Sequence, residues 1–204
     1  MSKVALSTVP ERYSMNNTHR VAVIVGSLRS GAFSRSTAEA LIDAAPDSLE
    51  LEIVEIGDLP LYNQDLESPP PAAWTAFRGQ MKGMDAVLFV TPEHNRSVPA
   101  ALKNAVDVGS RPYGKGVWDN KPGAVVSVSP GAIGAFGANH HLRQSLVFVN
   151  MPVMAQPEAY IGGAKDLFDE QGALKNESTR AFMEKFTQAF AAWITMHVKV
   201  PVAA

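Results

Sequence analysis

Short apolar runs alternate with helical patterns along most of this chain, and this alternation constrains its fold more than any other feature of the sequence. The runs Val21–Val25, Ala86–Val90 and Ala124–Val128 are nearly continuous and rich in β-branched residues. Such runs are typical of strands that are covered on both faces. Leu51–Ile56 alternates apolar and acidic residues, as expected nearer a sheet edge, and Val153–Ala155 is the fifth predicted strand.

Helical patterns lie between and after these runs. Apolar residues recur at helical spacing in five stretches: residues 38–45, 72–82, 102–109, 138–149 and 182–197. The last stripe is expected to end at Pro201. Alternating strands and helices predict a single α/β domain, a doubly wound sheet of five parallel strands. We expect this domain to span residues 20–200, after a flexible N-terminal extension of residues 1–19.

The composition excludes several classes of function. The 204 residues carry a net charge of −2, so neither nucleic acid nor an anionic membrane is an expected partner. The chain has no cysteine, which excludes disulfides, thiolate catalysis and iron–sulfur clusters, and no metal site is expected. No apolar run reaches the ~18–20 residues that span a bilayer, and no secretory signal is evident. A cytoplasmic protein is therefore expected.

A loop of hydroxyls, glycines and arginines follows the first predicted strand, where residues 27–36 read SLRSGAFSRS. Backbone N–H groups, hydroxyls and a helix N-terminus would converge there, which favours a phosphate ligand. No lysine follows Gly31, so this is not a Walker A loop, and Leu28 replaces the second glycine of the dinucleotide fingerprint. The alternative is an ordinary turn in which Ser36 and Glu39 form a capping box.

Two further loops follow strands whose carboxyl ends should meet the first loop at one edge of the sheet. Residues 91–99 read TPEHNRSVP, and the two prolines bracket a polar triplet whose alternative role is a solvated turn. Ser97 is expected to cap the next helix. Residues 129–137 read SPGAIGAFG, where glycines at a spacing of three let the backbone approach a flat ligand, unless the loop is simply flexible. The three loops together predict a site for a flat, phosphorylated ring, and FMN has that shape.

These motifs, with PLYNQD at residues 60–65 and LKNA at residues 102–105, closely resemble the NADPH-dependent FMN reductase family, which includes bacterial quinone and chromate reductases. The resemblance covers residues 21–163. It implies a flavodoxin-like fold, bound FMN, and NADPH or NADH as electron donor. It also implies a small-molecule electron acceptor, such as a quinone, chromate, an azo dye or free flavin, and a homodimer or homotetramer.

The resemblance implies FMN-binding residues in all three loops. Those around the phosphate are Ser27, Arg29, Phe33, Ser34 and Ser36. Those beside the ring are Pro92, Glu93, His94 and Asn95 on one side and Ser129 and Gly131 on the other. The family commonly has tyrosine in place of His94 and asparagine in place of Ser34. No catalytic residue is expected from the chain, because the flavin performs the chemistry.

Other classes of function remain open on the sequence alone. A flavodoxin-type electron carrier would bind FMN without oxidising NAD(P)H, but such carriers are usually strongly acidic and this chain's net charge is only −2. A regulatory protein on a nucleotide-binding fold would lack the flavin. A hydrolase or phosphatase is less favoured, since no nucleophile–base pair is visible.

Overall fold

The computed structural model describes residues 18–198, and the fold and site below are those of that part of the chain. Most of the predicted N-terminal extension, Pro201 and the end of the predicted domain lie outside it. At its centre is a five-stranded parallel sheet in the order β2-β1-β3-β4-β5. The strands are β1 (His19–Val25), β2 (Leu49–Ile53), β3 (Ala86–Thr91), β4 (Gly123–Val128) and β5 (Ala159–Ile161). This order is the flavodoxin type, and it confirms the predicted doubly wound sheet.

Six α-helices are described around the sheet: α1 (Phe33–Asp43), α2 (Ala72–Lys82), α3 (Ala100–Gly109), α4 (Phe136–Phe148), α5 (Ala164–Leu167) and α6 (Glu177–His197). The prediction for residues 72–82 is confirmed at both ends. A short 3-10 helix, Gln64–Leu66, precedes α2. Within residues 18–198, no helix combines the length and the apolar character that a bilayer crossing requires.

Two hydrophobic cores lie on opposite faces of the sheet, because successive side chains of a strand point to opposite faces. On β1, Val21 and Val23 pack towards α1 and α6, whereas Ala22 and Ile24 pack towards α2, α3 and α4. All four side chains are fully buried. The uninterrupted apolar runs of the central strands are thereby explained, since both faces are covered.

The fifth predicted strand is wrong. Val153 makes only an isolated bridge to Gly123, and the strand that pairs with β4 is Ala159–Ile161, with Val126 opposite Ala159. The backbone around Val153 bonds only to Gly123, the first residue of β4: Pro152 O accepts from the Gly123 N–H, and the Met154 N–H donates to Gly123 O. The chain then leaves the sheet and returns six residues later.

Neither predicted helix cap forms. Helix α1 begins at Phe33, so Ser36 lies inside the helix, and Glu39 is paired with Arg35 at 3.3 Å between Oε1 and Nε. Helix α3 begins after Pro99, and Ser97 lies two residues earlier, in a turn that belongs to the preceding loop. In both places the helix starts at a different residue from the one that the pattern indicated.

Candidate functional site

The predicted site lies where the strand order reverses, between β1 and β3. The loops after β1, β3 and β4 leave the carboxyl ends of their strands at this edge, which is where ligands bind in open α/β sheets. Gly26 joins the first two loops. Its N–H donates to the carbonyl oxygen of Val90 at 2.9 Å, and a Cβ on Gly26 would lie 3.1 Å from atoms of both Thr91 and Pro92. The structure therefore brings the first two predicted loops into direct contact.

The β1–α1 loop places an uncapped helix N-terminus at the site. Ala32, the N-cap residue of α1, is extended and provides no side-chain hydrogen bond. The first amides of any helix lack carbonyl partners in their own helix, so this end suits an anion. Gly31 makes the turn with φ of 63°, and the backbone N–H of Arg29 donates to Ser27 Oγ at 3.3 Å.

Two hydroxyl groups are buried at the start of α1. Ser34 is 1% exposed and Thr37 is fully buried, and neither hydroxyl has a hydrogen-bond partner among residues 18–198. Buried hydroxyls without partners are uncommon in proteins, because their desolvation is uncompensated. Thr37 was not among the predicted site residues, although its position three residues after Ser34 places both hydroxyls on one helix face.

The other predicted phosphate residues differ in their surroundings. Arg29 is exposed, and its Nη2 donates to the carbonyl oxygen of Gly31 at 2.8 Å. Phe33 stacks on Phe168, with ring centroids 6.4 Å apart. Ser36 Oγ lies 3.0 Å from the position that a Cβ on Gly172 would take. Phe33 and Ser36 thus contact the segment that follows α5.

The β3–α3 loop contains a tight hairpin with a fixed shape. His94 and Ser97 exchange backbone hydrogen bonds of 3.0 and 2.9 Å. The two residues between them, Asn95 and Arg96, have φ of 50° and 65°. This is the pattern of a two-residue type I′ turn. His94 and Asn95 are exposed, whereas the carboxylate of the preceding Glu93 accepts a hydrogen bond from the backbone of α4.

The β4–α4 loop is held by close backbone packing. Gly134 has φ of 63°, and a Cβ there would lie 2.6 Å from the carbonyl carbon of Tyr160. Ser127 Oγ donates to the carbonyl oxygen of Gly134 at 2.7 Å. Gly131, in contrast, has only Ser129 Oγ near its open side, at 3.7 Å. The contacts at Gly134 fix the loop against β4 and β5, which disfavours the alternative of a flexible loop. The backbone at Gly131 remains accessible.

Two grooves lie mainly outside these three loops, although the second is also lined by Ser97 and Val98. A groove of about 810 Å³ lies at the amino ends of β3 and β4, beside Asp85 and Lys121. Burial lowers the pKa of Lys121, whose ammonium group donates to the carbonyl oxygen of Met84. A second groove of about 610 Å³ separates α3 from α4. The candidate site is built by the three loops, and within residues 18–198 no cluster of metal-binding side chains is present.

The strand order is of the flavodoxin type, and an uncapped helix end and two loops with accessible backbone lie at the carboxyl edge of the sheet. This arrangement is the one expected of the FMN-binding α/β class of proteins. The sequence matches the NADPH-dependent FMN reductase family over residues 19–166, and the chain belongs to that family.

Relatives and one solved structure agree with this assignment. The chain is 61% identical over 184 residues to a quinone reductase of Pseudomonas putida. The aligned region covers 90% of this chain and 98% of the relative. The chain is 43% identical over 175 residues to a 2-hydroxy-1,4-benzoquinone reductase of Burkholderia sp., with 86% and 96% covered. Its structure matches FerB, a flavoenzyme NAD(P)H:(acceptor) oxidoreductase of Paracoccus denitrificans, with a TM-score of 0.83, 40% identity, and 88% and 98% coverage. The protein is an FMN-dependent NAD(P)H oxidoreductase.

Proposed function

We propose that this enzyme passes electrons from NADPH or NADH through bound FMN to quinones or to similar acceptors, namely chromate, azo dyes and free flavin. The site observation that supports it best is the uncapped start of α1 with the buried, unpartnered hydroxyls of Ser34 and Thr37. A phosphate oxygen would supply the missing partners for both. The quinone as acceptor is supported by the quinone reductase that shares 61% of its residues with this chain.

The phosphate group would be held by the β1–α1 loop. Ser27 and Ser34 provide hydroxyls, and the first turn of α1 provides free amides. Arg29 already donates one hydrogen bond to Gly31, and its guanidinium retains further N–H groups for a phosphate oxygen. Phe33 and Ser36 would border this region from the helix side.

The flavin ring would lie between the other two loops. Pro92, Glu93, His94 and Asn95 would line one side, and Glu93 would do so through its backbone because its carboxylate is engaged with α4. Ser129 and Gly131 would line the other side, where the backbone is open. When bound, FMN supplies the hydride and electron transfer. The chain's own contribution is to bind and orient the cofactor, with no acid or base from a side chain.

Anaerobic mixing with nicotinamide tests this function against the carrier alternative. Excess NADPH or NADH should bleach the visible absorption of the bound flavin without any other protein, and an added quinone should restore it. A flavodoxin-type carrier would stay yellow with both nucleotides, since it presents no site for nicotinamide. Persistent yellow colour would contradict the proposal while leaving the fold and the cofactor intact.

We further infer a homodimer or homotetramer in the cytoplasm. On α4, Val147 is 71% exposed and Phe148 is 85% exposed, and apolar side chains of this kind favour a contact with another chain. A chain without cysteine is suited to a reducing compartment. Sedimentation velocity would measure the oligomeric state, and a monomer at micromolar concentration would contradict this inference.

A further inference from the structure

Helix α4 has no cap of its own. Its N-cap residue, Ala135, is left-handed with φ of 60°, it makes no side-chain hydrogen bond, and the first turn contains no acidic residue. The first amides of such a helix need acceptors from elsewhere, and the positive end of the helix dipole favours an anion there.

Glu93 supplies this acceptor from a different part of the chain. Its Oε2 accepts a hydrogen bond of 3.1 Å from the backbone N–H of Ala138, although the two residues are 45 positions apart. The Glu93 side chain is only 16% exposed. Its other oxygen lies 3.8 Å from Nη1 of Arg96, which is 79% exposed, so this ion pair adds little. The carboxylate is therefore directed mainly at α4.

Gly137 lets the loop and the helix approach this closely. A Cβ on Gly137 would lie 2.9 Å from Oε2 of Glu93 and 2.9 Å from the carbonyl oxygen of Arg96. No side chain fits there without moving the loop. The glycine is thus explained by a close approach between two backbones and a carboxylate.

A second contact joins the same loop to the same helix. Ser97 Oγ lies 3.0 Å from Nδ1 of His141, which is about one helical turn after Ala138. Between Glu93 and Ser97 lies the type I′ turn that carries Asn95. The turn is therefore held at both ends against α4.

We propose that Glu93 is a positioning residue: its carboxylate caps α4 and so fixes the β3–α3 and β4–α4 loops relative to each other on the two sides of the flavin. The link to FMN rests on the proposed function, whereas the contact with α4 does not. Glu93 thereby acts on the flavin through the position of Asn95 and of the backbone around Gly131.

The test compares Glu93→Ala with Glu93→Gln, which keeps an acceptor oxygen. Glu184→Ala, an exposed carboxylate on α6, is the control. In apo-protein, Glu93→Ala should accelerate hydrogen exchange of the Ala138 amide about tenfold or more, as expected for a lost charge-assisted hydrogen bond. It should also raise the Kd for FMN about tenfold and shift the flavin absorption spectrum. Glu93→Gln should return all three values towards wild type.

Two results would overturn the proposal. One is wild-type exchange of the Ala138 amide in Glu93→Ala. The other is equal loss of FMN binding in both Glu93 variants although Glu93→Gln restores Ala138 exchange, which would make the Glu93 carboxylate a direct ligand. If Glu93→Ala fails to fold, Gly137→Ala displaces the same carboxylate and should weaken FMN binding equally. If even the wild type fails to bind FMN, the proposed function fails, while the exchange of Ala138 still decides the cap.

Discussion

Arg29 is the cation of the β1–α1 loop, and it is exposed with one hydrogen bond to Gly31. Arg29→Ala should weaken FMN binding about tenfold or more, since a charge-assisted hydrogen bond contributes roughly 1.5–3 kcal/mol. Turnover should fall through loss of cofactor and recover in saturating FMN. Fluorescence titration measures the affinity, and Arg35→Ala is a matched control because Arg35 is paired with Glu55 at 2.6 Å. Normal FMN affinity in Arg29→Ala would remove this residue from the site.

Removing the buried hydroxyls of Ser34 and Thr37 should have opposite effects on the stability of the apo-protein and on its affinity for FMN. Ser34→Ala and Thr37→Val should leave the apo-protein as stable or more stable, because an unpartnered buried hydroxyl costs roughly 1–3 kcal/mol. The same substitutions should weaken FMN binding by removing donors to the phosphate. Thermal melting of the apo-protein and FMN titration would be measured together. A lower melting temperature with unchanged FMN affinity would show that these hydroxyls have an internal structural role.

Candidate residues that lie together in the sequence are easier to recognise than contacts across the fold. Ser27, Arg29 and Ser34 lie close together in the sequence, in the β1–α1 loop and the first turn of α1, so the pattern of the sequence indicated them together. The partner of Glu93 is an amide 45 residues away, and no spacing rule reaches that far. Serine is a common helix N-cap residue, but the Ser97 hydroxyl forms a hydrogen bond with His141 instead of capping α3.

At the scale of elements, the β4–α4 loop depends on one glycine. In Gly134→Ala, the left-handed backbone should lower the free energy of unfolding by about 1–2 kcal/mol. The new Cβ, 2.6 Å from the carbonyl carbon of Tyr160, should lower it by about 1–3 kcal/mol more. Gly114→Ala is the matched control, because Gly114 has φ of 74° with no atom within 4 Å. Chemical denaturation should therefore show a larger loss in free energy of unfolding for Gly134→Ala. Equal losses would mean that the loop can move away from β5.

Elements with long, regular patterns were predicted best. Helix α2 matches at both ends, because its apolar residues repeat over eleven positions. The fifth strand was misplaced because β5 is only three residues long. Residues 153–155 and 159–161 are both short apolar segments, and pairing with the edge of β4 decides which of them joins the sheet. The periodicity of so short a segment does not predict this pairing.

At the scale of the whole molecule, the alternation of strands and helices was sufficient to predict a doubly wound parallel sheet. Connections between parallel strands are almost always right-handed, so few topologies remain once the alternation is known. The position of the site follows from the topology alone, since it lies where the strand order reverses. Its ligand does not follow from the topology, and it was indicated by the loop residues and by the resemblance that they carry.

The three loops that meet at this edge are far apart in sequence, at residues 26–32, 92–99 and 129–135, and come together only when β1, β3 and β4 are paired. An unfolded chain therefore presents no FMN site, and the cofactor acts as a thermodynamic partner of the native state. Free FMN at about 100 times its Kd should stabilise the fold by about 2.7 kcal/mol. The melting temperature should rise with FMN concentration in calorimetry, while riboflavin, which lacks the phosphate, should raise it much less. Loss of FMN would then raise the small unfolded fraction of this protein, which is the fraction open to proteolysis.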